Sequence, residues 1–297
     1  MFDFVKNRIH YIKGGRYPHC HSIYIDDEFQ VLIDPACDAE VLTKIASKRP
    51  INVIINSHCH EDHFLNNYLF PKAELWAHGL EAPMFRDLEA LLDAWMSPED
   101  KASPLGDETR QFLINDTHFT PREPARLLID NEIISLGETR IQVLHTPGHS
   151  PGHLCFYFPD EKVLFTADLD LVKAGPYYGD KGSNIDDTIA SLERILAIEA
   201  ETYLTAHGKE GIYDGDPKTV RQYLDIIFRR ENQLLESLSK QSLTLDEISA
   251  LGIIYGKRNN NDIWFIAASE RNMMEKHLGR LMRDGKVCRD GETYVCC

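Results

Sequence analysis

Six consecutive residues, His58, Cys59, His60, Glu61, Asp62 and His63, hold three imidazoles and two carboxylates within one short turn. Imidazole nitrogens and carboxylate oxygens are donors that zinc, iron and manganese accept. The apolar run before them, residues 51–56, reads as a buried strand, so the cluster stands where a strand ends. Donors this close cannot all reach one ion without strain. They can divide between two neighbouring ions, His58 and His60 on one, Asp62 and His63 on the other, with Glu61 pointing away. Alternation along the turn points Cys59 away from both.

Three later pieces carry further donors. Residues 146–153, Thr-Pro-Gly-His-Ser-Pro-Gly-His, form a turn punctuated by Pro and Gly that carries His149. Residues 163–168 are an apolar strand ending in Asp168, and residues 202–208 are another ending in His207. In this order the four pieces resemble the metallo-β-lactamase superfamily, whose pattern is H-x-H-x-D-H, T-P-G-H, a strand-terminal Asp and H-G. All seven ligand positions match. The one local departure is Ala167, where the family usually has Gly. The resemblance implies a first metal on His58, His60 and His149, a second on Asp62, His63 and His207, and Asp168 as the bridge. Asp62 and Asp168 are the carboxylates expected to serve catalysis. The cofactor implied is a pair of divalent ions, zinc first, with iron or manganese as alternatives.

The bridging Asp bears on the activity. β-Lactamases of the superfamily lack it, whereas glyoxalase II-like, nuclease and phosphodiesterase members have it. Flavodiiron oxygen reductases carry Glu where this chain has His60, so His60 favours hydrolysis. Persulfide dioxygenases share the motif but hold one iron. Two cations sharing a water bring its pKa toward neutrality, and positive charge stabilises the oxyanion formed at a carbonyl or phosphoryl centre. No Ser or Cys nucleophile is needed. His153 and His21 are expected to orient ligands, and Tyr177 and Tyr178 to line the substrate site. His10, His118, His145 and His277 read as structural.

The 297 residues are 43% hydrophobic and 27% charged, enough for one large domain and a small one. The net charge of −15 counts against a general nucleic-acid binder. No apolar run is long enough to span a membrane, and residues 1–7 lack the basic and apolar regions of a signal peptide. Seven cysteines without framework spacing suit a reducing cytoplasm better than a disulfide scaffold.

The elements that must position the donors follow from periodicity. Strands are expected at 8–12, 22–26 and 30–34, then a helix over 39–48 capped by Asp38, then the strand at 51–56. Residues 79–126 read as a helical insertion beside the mouth of the site, with one helix over 85–95 whose Phe85, Leu88, Leu92 and Trp95 either pack on the sheet or wall the substrate pocket. Strands resume at 127–129, 133–136, 141–144 and 154–158. Residues 183–186 resemble a capping box that opens a helix to about 198. The fold class expected is α/β, a four-layer α-β-β-α metallo-β-lactamase sandwich over residues 1–215.

Residues 216–297 are expected to form a winged-helix-like domain. A long helix spans 219–240, a short one is capped by Thr244, a third covers 263–283, and a hairpin turns at Asp290-Gly291. Arg271, Lys276, Arg280, Arg283, Lys286 and Arg289 make its end basic, which keeps nucleic acid open as a partner without favouring it. Bracing the active-site mouth, or a homodimer contact, is the plainer role. The function expected first is hydrolysis of a small acyl thioester or ester, similar to glyoxalase II. The alternatives are a phosphodiesterase or endoribonuclease, a mononuclear iron persulfide dioxygenase, and a regulatory protein.

Overall fold

Seven strands in simple chain order make the first of two facing sheets, and the first ligand cluster follows the C-terminal end of its fifth strand. The computed structural model describes residues 2–256 and 265–297. The strands are β1 (Phe4–Lys6), β2 (Ile9–Ile12), β3 (Ser22–Asp26), β4 (Gln30–Ile33), β5 (Val53–Ile55), β6 (Glu74–His78) and β7 (Arg126–Leu128). The first four pair antiparallel, and β4 to β7 pair parallel. The second sheet holds β8 (Ile133–Ser135), β9 (Arg140–His145), β10 (Leu154–Phe158), β11 (Val163–Phe165), β12 (Thr202–Leu204) and β13 (Ile212–Asp214), ordered β13-β12-β11-β10-β9-β8. Only β11 and β12 run parallel there. Both faces of β4, β5 and β11 are covered, so their sequences are continuous apolar runs rather than alternating ones.

Between the sheets lies the main core, where Ile33, Val53 and Ile55 join Val143, Phe156 and Phe165. Helices cover the outer faces. On the first sheet, α1 (Ala39–Ala46) contributes Leu42 and Ile45, which pack with Leu32, Ile54 and Leu75. Asp38 caps α1 by accepting from the Glu40 and Val41 N–H groups, as its sequence suggests. The single turn α2 (Glu61–Phe64) follows β5. Then α3 (Ala82–Arg86), α4 (Leu88–Trp95), α5 (Pro98–Lys101) and α6 (Pro104–Asn115) form the crossover between the parallel strands β6 and β7. On the second sheet, α7 (Ile185–Leu196) and the first half of α8 (Pro217–Leu238) cover Leu144, Leu164 and Tyr203. The layers run α-β-β-α.

Several local expectations change. The strand β1 precedes the first one expected. The helix expected over 85–95 is two helices, because Asp87 takes an extended conformation and its side chain accepts from the Glu89 N–H to start α4. The cap of α7 is Asn184, which accepts from the Asp186 and Asp187 N–H groups. Ser183 instead donates to the His149 carbonyl.

After α8 come β14 (Leu243–Thr244), α9 (Leu245–Ser249), α10 (Phe265–Arg283), β15 (Val287–Asp290) and β16 (Thr293–Cys296). The three strands form a small sheet ordered β14-β16-β15. Ile263 and Trp264, with which the third C-terminal helix was expected to begin, lie outside the described residues. Thr244 and Glu247 make a reciprocal capping box on α9. Helix α8 links two cores: Val220, Tyr223 and Ile227 belong to the layer on the second sheet, while Leu234 and Leu238 pack with Met274, Leu278 and Leu281. The expectation of unpaired cysteines fails at one place, since the hairpin brings Cys288 and Cys297 together in a disulfide. Cys296 stays free. Among the described residues, no helix is long and apolar enough to cross a membrane.

The core makes an energetic prediction. Phe156 is fully buried between the sheets, so Phe156→Ala should cost about 3–5 kcal/mol of unfolding free energy through lost burial and a residual cavity. Leu127→Ala, at a side chain 49% exposed on β7, should change stability by less than about 0.5 kcal/mol. Urea unfolding of both variants checks the contrast.

Candidate metal centre and substrate cavity

The strand ends bring all seven motif residues to one place. His58 leaves the end of β5, and His60 is the extended residue that precedes α2, which carries Asp62 and His63. His149 comes from the turn between β9 and β10, Asp168 from the end of β11 and His207 from the end of β12. His149 Nε2 lies 3.0 Å from His60 Nδ1 and 3.1 Å from His58 Nε2. Ligands of a tetrahedral zinc with Zn–N of about 2.0–2.1 Å would stand roughly 3.3 Å apart. The Asp168 carboxylate divides between two groups. Its Oδ2 is 3.3 Å from His149 Nε2, and its Oδ1 is 2.8 Å from His63 Nε2 and 3.4 Å from His207 Nε2. Asp62 Oδ2 is 3.3 Å from His207 Nε2.

This donor set fits divalent cations. His58, His60, His149 and Asp168 converge as one group of ligand atoms, and Asp62, His63 and His207 as another. His63 Nε2 and Asp168 Oδ1 are buried and lack a hydrogen-bond partner of good geometry, which leaves both donor atoms aimed into the same space. Burial holds the His58 pKa well below its ordinary value and lowers that of His149 to about 4, which favours the neutral imidazole that ligates metal. Burial also opposes charge on His60, but Asp180 outweighs it and raises His60 to about 9.

A shell of carboxylates and backbone groups fixes the ring orientations. Asp34, buried at the end of β4, accepts from the Ser57 N–H at 2.7 Å, and its other oxygen stands 2.9 Å from His63 Nδ1. Asp180 accepts from His60 Nε2 at 2.7 Å. His149 Nδ1 donates to the Tyr177 carbonyl at 3.3 Å. His153 Nε2 accepts from the Asp168 N–H, and Asp170 accepts from the His207 N–H. His21 Nε2 donates to the Gly208 carbonyl. Buried Glu81 staples two ligand loops, accepting from the Cys59 N–H on one side and from Ser150 Oγ and the Gly152 N–H on the other. Gly148 is required in the second of these loops, since its φ is +130° and a Cβ there would meet the Thr188 nitrogen at 2.3 Å. Ala167, just before Asp168, has φ of 46°, in the left-handed region that favours glycine.

A cavity of about 360 Å³ opens over these donors. Trp95, Met96, Leu105 and Phe112 from α4, α6 and their connection form one wall, and Tyr177 with Ala268 of α10 form another. Of the four helical residues considered for this wall only Trp95 lines it. Phe85, Leu88 and Leu92 join the core on the first sheet instead. Tyr178 is also turned away, its hydroxyl bonded to His277 and Arg230. Cys59 points into the core, where burial raises its pKa well above the ordinary thiol value. His10 and His118 pack against Tyr24 and Tyr68, and His145 stacks on His78.

The C-terminal elements hold one side of this cavity. Arg230 of α8 donates to the carbonyls of Ala174 and Pro176, Asn272 of α10 to that of Gly179, and Lys276 to that of Asp180. The loop so held carries Tyr177 and Asp180, which in turn orient His149 and His60.

The signature of the metallo-beta-lactamase superfamily matches residues 16–207. The chain belongs to that superfamily. The expectation of an enzyme holds with this membership, since curated relatives in the superfamily are named thioesterases. A Gallus gallus acyl-coenzyme A thioesterase is 29% identical over 160 residues, covering 52% of this chain and 53% of that protein. An atrochrysone carboxyl ACP thioesterase of Passalora fulva is 32% identical over 209 residues, 66% of this chain and 59% of that protein. The chain thus spans little more than half the length of these curated relatives. A metallo-beta-lactamase family protein of Thermus thermophilus has the same fold, with a TM-score of 0.74, 21% identity, and coverage of 97% of this chain and 98% of that one.

Asp34, Glu81 and Asp180 were not singled out from the sequence. Only Asp34 carried a hint, as a carboxylate closing an apolar strand. Removing Asp180 should loosen His60, so Asp180→Ala is expected to weaken metal affinity by about 10–100-fold, with partial recovery in Asp180→Asn. Competition with a chromophoric chelator measures this. Unchanged affinity in both variants would show that the loop carboxylate does not hold the ligand.

Proposed function

We propose that this protein is a glyoxalase II-like hydrolase of acyl thioesters with a two-metal centre. His58, His60 and His149 would hold one divalent ion, most simply zinc, Asp62, His63 and His207 the other, and Asp168 would bridge them. Bound there, such ions supply activated water at neutral pH and positive charge for an oxyanion. Asp168 and Asp62 fix the donor geometry at the base of the cavity. Trp95, Leu105 and Phe112 give the acyl group an apolar wall and keep water off it. The sulfur of a thioester leaves as thiolate, so no side chain need protonate it.

The observation that carries this reading is the chemistry of the cavity lining. Among the described residues it contains no Lys or Arg, and it includes Glu61, Asp100 and Asp180, a poor surface for a polyphosphate backbone and a suitable one for an apolar acyl chain. The names of the relatives point the same way.

The nuclease reading rests on the C-terminal unit. The order helix, strand, helix, helix and hairpin supports reading residues 216–297 as a winged-helix-like domain joined to a hydrolase domain of residues 1–215. Four basic residues of α10, however, are engaged within the chain. Arg271 pairs with Asp246, Arg280 with Glu231 and Asp186, Arg283 with Asp186, and Lys276 is bound to the cavity loop. Helix α10 therefore turns toward the cavity, and bracing that cavity is the role we assign to it.

A panel of acyl thioesters assayed beside single-stranded RNA tests this function. Metal-dependent thioester hydrolysis is expected, falling at least ~100-fold in Asp168→Ala. Metal-dependent RNA cleavage that is lost in the variant, with no thioesterase activity, would establish the nuclease instead.

A further inference from the structure

A second groove, of about 540 Å³, opens on the other side of His207. It shares Tyr17 and His207 with the apolar cavity, so the two meet beside the ligand cluster. Its chemistry is opposite. Lys13, Arg16 and Lys209 line it together with His19 and His21, and among the described residues no carboxylate does. In a chain with 47 acidic and 32 basic residues, cations such as Arg8, Arg140 and Arg194 are paired with carboxylates. Among the described residues Lys13, Arg16 and Lys209 are not. The Lys13 ammonium donates only to the Lys209 carbonyl, at 3.1 Å. The acidic neighbours lie outside the lining: the Asp3 carboxylate accepts from the Lys13 backbone N–H, and Glu210 is exposed next to Lys209.

We propose that this groove receives the phosphate of the leaving thiol, so that the substrate is an acyl thioester of phosphopantetheine, carried either by coenzyme A or by a carrier protein. This rests on the thioester reading above. A molecule apolar at one end and anionic at the other has one favoured orientation across the two cavities. Its acyl chain lies against Trp95, Leu105 and Phe112, its phosphate faces Arg16, Lys13 and Lys209, and its carbonyl falls between, beside His207. Hydrolysis forms a C–O bond from water and breaks the C–S bond, giving a carboxylate and a thiolate with release of the two water protons. The thiolate then departs through the groove that held its phosphate. The planar guanidinium of Arg16 matches phosphate in a forked contact, and Lys13 and Lys209 add point charge.

The same acyl group presented on pantetheine, on 4′-phosphopantetheine, on coenzyme A and on a carrier protein separates these terms. Pantetheine differs from its phosphate ester only in the anion. The wild-type protein should have a KM about tenfold lower for the phosphorylated thioesters, and added salt should erode that preference. Arg16→Ala combined with Lys209→Ala should abolish the preference, and Arg16→Glu should reverse it. Both side chains are exposed, so folding is not at stake. The coenzyme A and carrier-protein arms tell which source is used. Calorimetric binding of 4′-phosphopantetheine against pantetheine, in the wild type and the double variant, reads the groove without turnover. Thioester turnover with equal KM for pantetheine and its phosphate, together with equal binding, overturns the groove and leaves the thioesterase reading standing. Phosphate-dependent binding that Arg16 and Lys209 control, without any turnover, upholds the groove and removes the thioesterase reading.

Discussion

Buried imidazole nitrogens that face one another at 3.0–3.1 Å create a problem that the surrounding protein does not solve. Neutral rings can share at most one proton across each gap, and a second proton would place like charges close together among largely buried groups. Asp168 offsets part of this by sending one oxygen toward each half of the cluster, but its own Oδ1 and His63 Nε2 remain without good partners. Divalent cations bound there would satisfy these atoms together. The fold around the cluster can be understood as the means of holding that arrangement in place.

Most donors are delivered by element ends, and His149 by the short turn between β9 and β10. Strands β5, β11 and β12 are covered on both faces, so the residues that follow them, from His58 onward, Asp168 and His207, start from fixed positions. The short connections are then tied by buried carboxylates. Glu81 binds the loop of His58 and His60 to the loop of His149. The Asp34 carboxylate stands beside His63 Nδ1 at 2.9 Å, and Asp180 sets His60. The last of these depends on the C-terminal elements, because Asn272 and Lys276 hold the loop on which Asp180 sits. The same helix α10 supplies part of the cavity wall, so the fourth layer and the C-terminal unit act on the centre together.

What the sequence made legible follows from how local each signal is. The ligand motif is local: the donors stand next to apolar runs that must be strands, and the structure gathers all seven. The layered α/β fold was legible for the same reason, since two-face burial writes continuous apolar strands and the intervening helices write a 3.6-residue period. Through-space partners left no such trace. Glu81 and Asp180 are single carboxylates outside any motif, and their importance lies in groups 22 and 120 residues away. Periodicity also marked an apolar face over 85–95 without telling which surface it would meet. Phe85 and Leu92 went to the sheet, and the cavity took Met96, Leu105 and Phe112 instead. The pairing of Cys288 with Cys297 depends on hairpin register, which cysteine spacing alone did not reveal.

The most direct test is elemental analysis of the purified protein with the His58→Ala and His207→Ala variants. Two ions per chain are expected in the wild type, with His58→Ala emptying mainly one site and His207→Ala mainly the other. A single ion per chain, retained in full by His207→Ala, would contradict a two-metal centre and point to a mononuclear one.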